Sequence, residues 1–170
     1  MFYVPYAILI VVMVIADQVT KYLVRANIPL GGSVEFLPGI MDFTYVKNTG
    51  MAFSMFSNYT WVLTVLSAVV TVVLLVFLIR KELTHPLGVT CLSLVIAGAI
   101  GNLIDRALLG YVTDMLRTLF IDFAVFNVAD ICVTCGGFGL AVYVIFFYEK
   151  NEGKKEKEEQ EAHDHPEADG

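Results

Sequence analysis

Four long apolar runs, at residues 2–16, 59–79, 86–104 and 131–148, alternate with polar links and set the pattern of the whole chain. Each approaches the ~20 residues that carry an α-helix across a bilayer once its flanks are included. The first run is the shortest and spans only if residues 17–23 continue the same helix. The pattern predicts an all-α membrane protein with helices at about residues 4–25, 58–80, 86–107 and 127–148, in one membrane domain over 1–148. A cleaved signal peptide is the other reading of the first run. No basic residue precedes it and no small-x-small cleavage site follows, which argues against that.

The links carry their own signals. Residues 27–58 contain Gly31-Gly32 and Pro38-Gly39, then Phe43 and Tyr45 alternating with polar neighbours up to Lys47. That alternation predicts a short amphipathic strand or hairpin lying on the membrane surface, ended by a turn at Asn48-Thr49-Gly50. The second helix is apolar all round and reads as scaffold. In the third, Ala97, Gly98 and Gly101 permit close helix approach, and Gly136, Gly137 and Gly139 thin one face of the fourth. The fourth also has a clear start: Asn127 suits an N-cap and Asp130, three residues on, suits the acidic member of a capping box.

Composition agrees with a membrane chain. Of 170 residues, 57% are hydrophobic and 16% charged, and the mean hydropathy is +0.71. The net charge of −6 comes mostly from residues 149–170, a Lys/Glu tail too poor in apolar residues to repay the entropy of ordering. His163 and His165 in that tail could hold a stray metal ion, but a solvated tail explains them as well. Arg80 and Lys81 follow the second helix, and Lys150, Lys154, Lys155 and Lys157 follow the fourth, which puts both termini on the cytoplasmic side. Residues 27–58 and 107–126 then face outward. Cys91, Cys132 and Cys135 all lie in apolar runs and read as small core residues despite the redox-like spacing of the last two.

The unusual polar residues crowd the outward helix ends. Asp17 and Lys21 are one turn apart on the first helix; Asn102, Asp105 and Arg106 close the third; Asp130 opens the fourth; Asp114 lies in the second outward link. A charge in hydrocarbon costs at least ~3 kcal/mol, so such residues need a reason. Simpler accounts exist for several. Asp17 and Lys21 suit an i,i+4 pair with the lysine snorkelling outward. Asp105 reads as surface charge at a helix end, while Arg106 is expected to find a partner in the polar cluster. Asn127 and Asp130 could serve only as caps, and Asp114 could be an ordinary loop acid. The inventory still narrows the chemistry. The histidines are His85, in the inner link, and the two in the tail, which excludes an outward-facing serine or cysteine hydrolase built on histidine. Zinc would want histidine or cysteine on that side, and no phosphate-binding glycine fingerprint occurs. Aspartate, asparagine, arginine and lysine remain, a set that suits aspartic catalysis.

Five motifs stand in order: Asp17-Gln18-Val19-Thr20-Lys21, Asn48-Thr49-Gly50-Met51-Ala52-Phe53, Gly101-Asn102-Leu103-Ile104-Asp105-Arg106, Val112-Thr113-Asp114 and Phe126-Asn127-Val128-Ala129-Asp130. Together they resemble the bacterial lipoprotein signal peptidases (signal peptidase II) up to about residue 148. The resemblance implies a four-transmembrane-helix bundle with a small extracytoplasmic β-cradle in the bacterial cytoplasmic membrane. It implies an aspartic endopeptidase, without metal or cofactor, that cleaves prolipoproteins just before a diacylglyceryl-modified cysteine. Its catalytic pair maps onto Asp114 and Asp130. Asn48, Gly50, Asn102, Arg106 and Asn127 match positions that shape or brace the site, and Asp17 and Lys21 match the polar pair of the first helix. Lipidated prolipoproteins and membrane lipid are the expected partners, nucleic acid is not, and a monomer is expected. Ala97, Met51, Met115 and Ile131 depart from the residues common in the family, without replacing a catalytic group. Asp122, in Ile121-Asp122-Phe123, competes with Asp114; the spacing from Asn102 and the Gly110-Tyr111-Val112 lead-in favour Asp114.

Two carboxylates in contact would share one proton, the equipment for activating water against a peptide bond. Two other classes make different demands. A proton-coupled transporter would place polar residues deep on both sides of the midplane. A non-catalytic assembly subunit would use the glycine faces and leave Asp114 and Asp130 without a task.

Overall fold

The computed structural model describes residues 3–50 and 60–148. Met51 of the second motif, the Lys/Glu tail and His163 and His165 lie outside the described residues. The order of elements is α1 (Val4–Asn27), β1 (Ser33–Leu37), β2 (Met41–Asn48), α2 (Thr60–Ile79), α3 (Pro86–Leu109), β3 (Val112–Thr118) and α4 (Val128–Tyr143). A π-helical turn, Val144–Tyr148, extends α4. Among the described residues four helices are long and apolar enough to cross a membrane, counting that extension as part of the last.

Local chemistry sets the helix ends. α1 runs on through Asp17 and Lys21 and stops where Pro29 forces Ile28 into an extended conformation (φ −115°, ψ 123°). His85-Pro86 starts α3, with proline in the first turn where no N–H is missed. Gly110 ends it in the left-handed region (φ +76°), its N–H closing onto the Arg106 carbonyl. At the start of α4 the Asn127 side chain accepts from Asp130 N–H and the Asp130 side chain accepts from Asn127 N–H, a complete capping box.

The packing is the reverse of a soluble protein. Val4, Ile8, Val11, Val12 and Ile15 of α1 are exposed, as are Val65, Leu66, Val69, Val72 and Val73 of α2, whereas Asp17 and Lys21 are 1% and 0% exposed. Apolar surface outside and charge inside is what a hydrocarbon solvent selects. α3 packs against α1, α2 and α4 and forms the centre of the bundle.

β1, β2 and β3 form one antiparallel sheet in that order at the end of the bundle where α1 and α3 finish and α4 begins. The expected strand or hairpin is β1–β2. The third strand was not foreseen: the second outward link, read as a loop, pairs with β2 in the register Val46↔Asp114, Lys47↔Thr113, Asn48↔Val112. Between Phe43↔Leu116 and Val46↔Asp114, Thr44 and Tyr45 stand opposite Met115 alone, a bulge. The backbone of Tyr45 bonds instead to Gly31 and Gly32. Tyr45, Met115 and Leu116 then pack on Val24 and Ile28, seating the sheet on the end of α1.

Candidate active site

Four elements meet below the sheet: the ends of α1 and α3, the start of α4, and β3. Small residues let them close. A Cβ on Gly101 would stand 2.6 Å from Asp17 Oδ2, and one on Gly98 would strike the Ala129 carbonyl. Glycine at these two positions is what allows α3 to lie against α1 and α4.

Asp114 is 3% exposed on β3, and Asp130 is half-buried in the first turn of α4. Asn127 connects them: its Nδ2 donates to Asp114 Oδ1 at 2.7 Å and its backbone N–H donates to Asp130 Oδ2 at 3.1 Å. Two more asparagines complete the set. Asn48 Nδ2 donates to Asp114 Oδ2 at 2.9 Å, and Asn102 Nδ2 donates to Asp130 Oδ1 at 2.8 Å. Asn48 and Asp114 are diagonal neighbours on one face of the sheet, within reach of each other.

All three amides have a forced orientation. The carbonyl oxygen of Asn127 accepts from Asp130 N–H, that of Asn48 from Gly50 N–H, and that of Asn102 from the Lys21 ammonium. Those partners can only donate, so each NH₂ must turn toward a carboxylate. Gly50 thus acts through its backbone N–H, which fixes Asn48. Burial pushes Asp114 up from the usual carboxylate range to about 6; the Asn48 bond opposes this, the Asp130 charge adds to it, and Asn127 and Lys21 oppose it.

Beneath the asparagines lies a layer of buried charge. Lys21 Nζ sits 2.8 Å from Asp17 Oδ2, 3.0 Å from Asn102 Oδ1 and 3.5 Å from Asp105 Oδ2. The lysine therefore does not snorkel, because three acceptors hold it inside. Asp105 is not surface charge, as its place at a helix end suggested: it is 1% exposed and accepts from Thr113 N–H at 2.8 Å. Asp17 Oδ1 accepts from Ala129 N–H at 2.9 Å, so it also serves the start of α4. Two contributors escaped the sequence reading. Gln18 bonds Asp17 and the Gly101 carbonyl, and Arg25 reaches Thr113 Oγ1 at 2.9 Å and Asp105 at 3.7 Å. For Arg25 a signal existed: Asp17, Lys21 and Arg25 are i, i+4 and i+8 on one helix face.

Asp114, Asp130, Asn48, Asn102 and Arg106 line a cavity of about 580 Å³. Its other walls include Phe123, Phe126, Ile131 and Val133. Arg106 Nη1 reaches Ser67 Oγ at 3.5 Å, and its charge is within Coulomb reach of Asp130 and Asp114. Asp122 is exposed and does not line this cavity. Cys91 and Cys132 are buried, but Cys135 is exposed on the cavity side of α4 rather than in the core. A carboxylate pair lining one cavity, with asparagine donors on both members and an apolar wall beside it, can polarise water against a bond held there.

Fold and site together define a multi-pass membrane protein of the acid–base hydrolase class. The family model described as signal peptidase (SPase) II matches residues 9–146. The lipoprotein signal peptidase of Enterococcus faecalis is 42% identical over 145 residues, covering 84% of this chain and 88% of that protein. The lipoprotein signal peptidase of Lactococcus lactis subsp. cremoris is 46% identical over 129 residues, covering 76% and 85%. A bacterial membrane enzyme solved at 2.3 Å resolution superimposes with a TM-score of 0.79 at 32% identity, covering 84% of this chain and 89% of that one. The chain belongs to the signal peptidase II family, and is an aspartic-type peptidase of the membrane.

Proposed function

We propose that this protein removes signal peptides from prolipoproteins, cutting just before a diacylglyceryl-modified cysteine, with Asp114 and Asp130 as the catalytic pair. The observation that carries the reading is Asn127, which donates to both carboxylates from one residue and brings them to one cavity. The pair titrates as a unit and holds one proton at working pH. The ionised member takes a proton from water, whose oxygen attacks the scissile carbonyl carbon. The protonated member donates to the carbonyl oxygen, and collapse of the tetrahedral intermediate returns a proton to the departing amine. Asn48, Asn102 and Asn127 keep donors on the carboxylates through this exchange, and Arg106 supplies positive charge at the cavity wall. Lipid on the substrate fixes the bond at one depth and converts a dilute encounter into a positioned one.

Arg80 and Lys81 between the second and third helices, with the lysines that follow the fourth, support a reading with both termini in the cytoplasm and the site near the outer leaflet of the cytoplasmic membrane. The enzyme works as a monomer among membrane lipids, with residues 1–148 as the peptidase and 149–170 as a charged tail. Purified protein incubated with a diacylated prolipoprotein tests the assignment. Asp114→Asn and Asp130→Asn should each insert into the membrane and lose cleavage; full activity in either removes the pair.

A further inference from the structure

Each reacting aspartate follows a residue whose backbone N–H is held by a different buried carboxylate. Thr113, before Asp114, donates to Asp105 Oδ2 at 2.8 Å; Ala129, before Asp130, donates to Asp17 Oδ1 at 2.9 Å. The two holding carboxylates are joined by one ammonium, Lys21 Nζ, at 2.8 Å from Asp17 and 3.5 Å from Asp105. β3 and α4 therefore have a common mechanical reference on α1, reached from β3 through Asp105 of α3. We propose that Asp105 is a positioning residue that completes a carboxylate–ammonium–carboxylate bridge with Asp17 and Lys21, and that this bridge sets the spacing of the Asp114–Asp130 pair.

The geometry gives the bridge this task rather than a general stabilising one. Bulk packing does not require a buried charge; replacing a buried ion cluster by apolar residues is often neutral or stabilising. Here each carboxylate spends its second oxygen or lone pair on a specific backbone donor one residue from a reacting group. Arg25, 3.7 Å from Asp105, balances the second negative charge, so the cluster of Asp17, Lys21, Arg25 and Asp105 is neutral. Arg106 on α3 and Lys21 on α1 are the cations that face the pair.

The inference rests on Asp114 and Asp130 being the reacting pair. Its test is the pH–rate profile of the full-length enzyme in lipid, cleaving a diacylglyceryl-modified prolipoprotein, for wild type, Asp105→Asn and Asp105→Ala. Asparagine keeps an acceptor for Thr113 N–H and gives up the charge that holds Lys21; alanine gives up both. We expect kcat to fall about 10-fold in the first and about 100-fold in the second, with KM within about twofold. The two limbs of the kcat profile should also draw together. Their separation measures how strongly the two carboxylates repel, and that repulsion weakens as they move apart. A folding defect alone would scale the rate down at every pH and leave the separation unchanged. Wild-type separation in Asp105→Asn, with or without a loss of rate, overturns the bridge. If neither single variant accumulates in the membrane, Asp105→Asn with Arg25→Gln keeps the cluster neutral and is read the same way. Asp114→Asn and Asp130→Asn in the same assay distinguish the two failures. Activity in either sinks the pair itself; inactive variants beside an unaltered Asp105→Asn profile sink only the bridge.

Discussion

Asn127→Ala separates two tasks that one buried side chain performs. Asn127 is 0% exposed, caps α4 by accepting from Asp130 N–H at 3.0 Å, and donates to Asp114 Oδ1 at 2.7 Å. Loss of an N-cap side chain costs about 1 kcal/mol. Loss of a hydrogen bond to a charged group costs about 1.5–3 kcal/mol, and it falls on the ionised form of Asp114 alone. Removing a donor from an ionised carboxylate disfavours the charge, so protonation persists to higher pH. Burial raises Asp114 to about 6, and the acid limb of kcat/KM, to which Asp114 contributes, should move up by roughly one to two pH units. Asn127→Ser sharpens the experiment, because serine restores the cap while lacking the reach to Asp114. Cleavage of a lipidated prolipoprotein across pH, with thermal melting in detergent, reads both effects. Serine should recover the part of the melting temperature that the cap supplies and leave the limb displaced. An acid limb that stays at its wild-type position in Asn127→Ala would refute the role given to this bond.

The glycines and cysteines give two further tests. Gly101→Ala would drive a Cβ to 2.6 Å from Asp17 Oδ2, whereas a Cβ on Gly137 meets nothing within 4 Å. The first should lower the melting temperature by disrupting a buried ion pair worth about 3–5 kcal/mol when one partner is displaced, and the second should melt at or slightly above wild type; equal melting of the two refutes the close-packing argument. Cys135 lines the cavity and is exposed, while Cys91 and Cys132 are buried. A maleimide should therefore modify Cys135 first and slow cleavage, with Cys135→Ala resistant; a fully modified enzyme that cleaves at the wild-type rate would show that substrate does not use that wall.

What could be read in advance followed from local rules. Asn127 with Asp130 starts α4 through hydrogen bonds three residues apart, and hydropathy over some twenty residues marks each membrane helix. Such features involve neighbours in the chain and so leave a spacing in the sequence. β3 left none. Its residues Val112 to Leu116 are buried on both faces, so the period-two alternation that marks a half-exposed strand is missing. Its partner β2 lies some seventy residues earlier, beyond any local pattern.

The surface reading of Asp105 and the snorkelling alternative for Lys21 fail for a related reason. Position at a helix end suggests solvent for one and snorkelling for the other, because a single helix offers no third partner. Only the approach of α1 to α3, and of β3 to both, supplies the acceptors and donors that hold these charges inside.

By itself, then, the sequence determined four membrane helices, the cap of the fourth, a surface strand or hairpin, and a crowd of aspartates and asparagines at one end of the bundle, since hydropathy and capping are properties of short stretches. The tertiary structure alone decided that Asp114 rides on a strand, that three asparagines turn their NH₂ groups toward two carboxylates, and that one ammonium ties the segments bearing them. Those outcomes depend on distances between residues far apart in the chain, which packing sets and which no spacing along the sequence encodes.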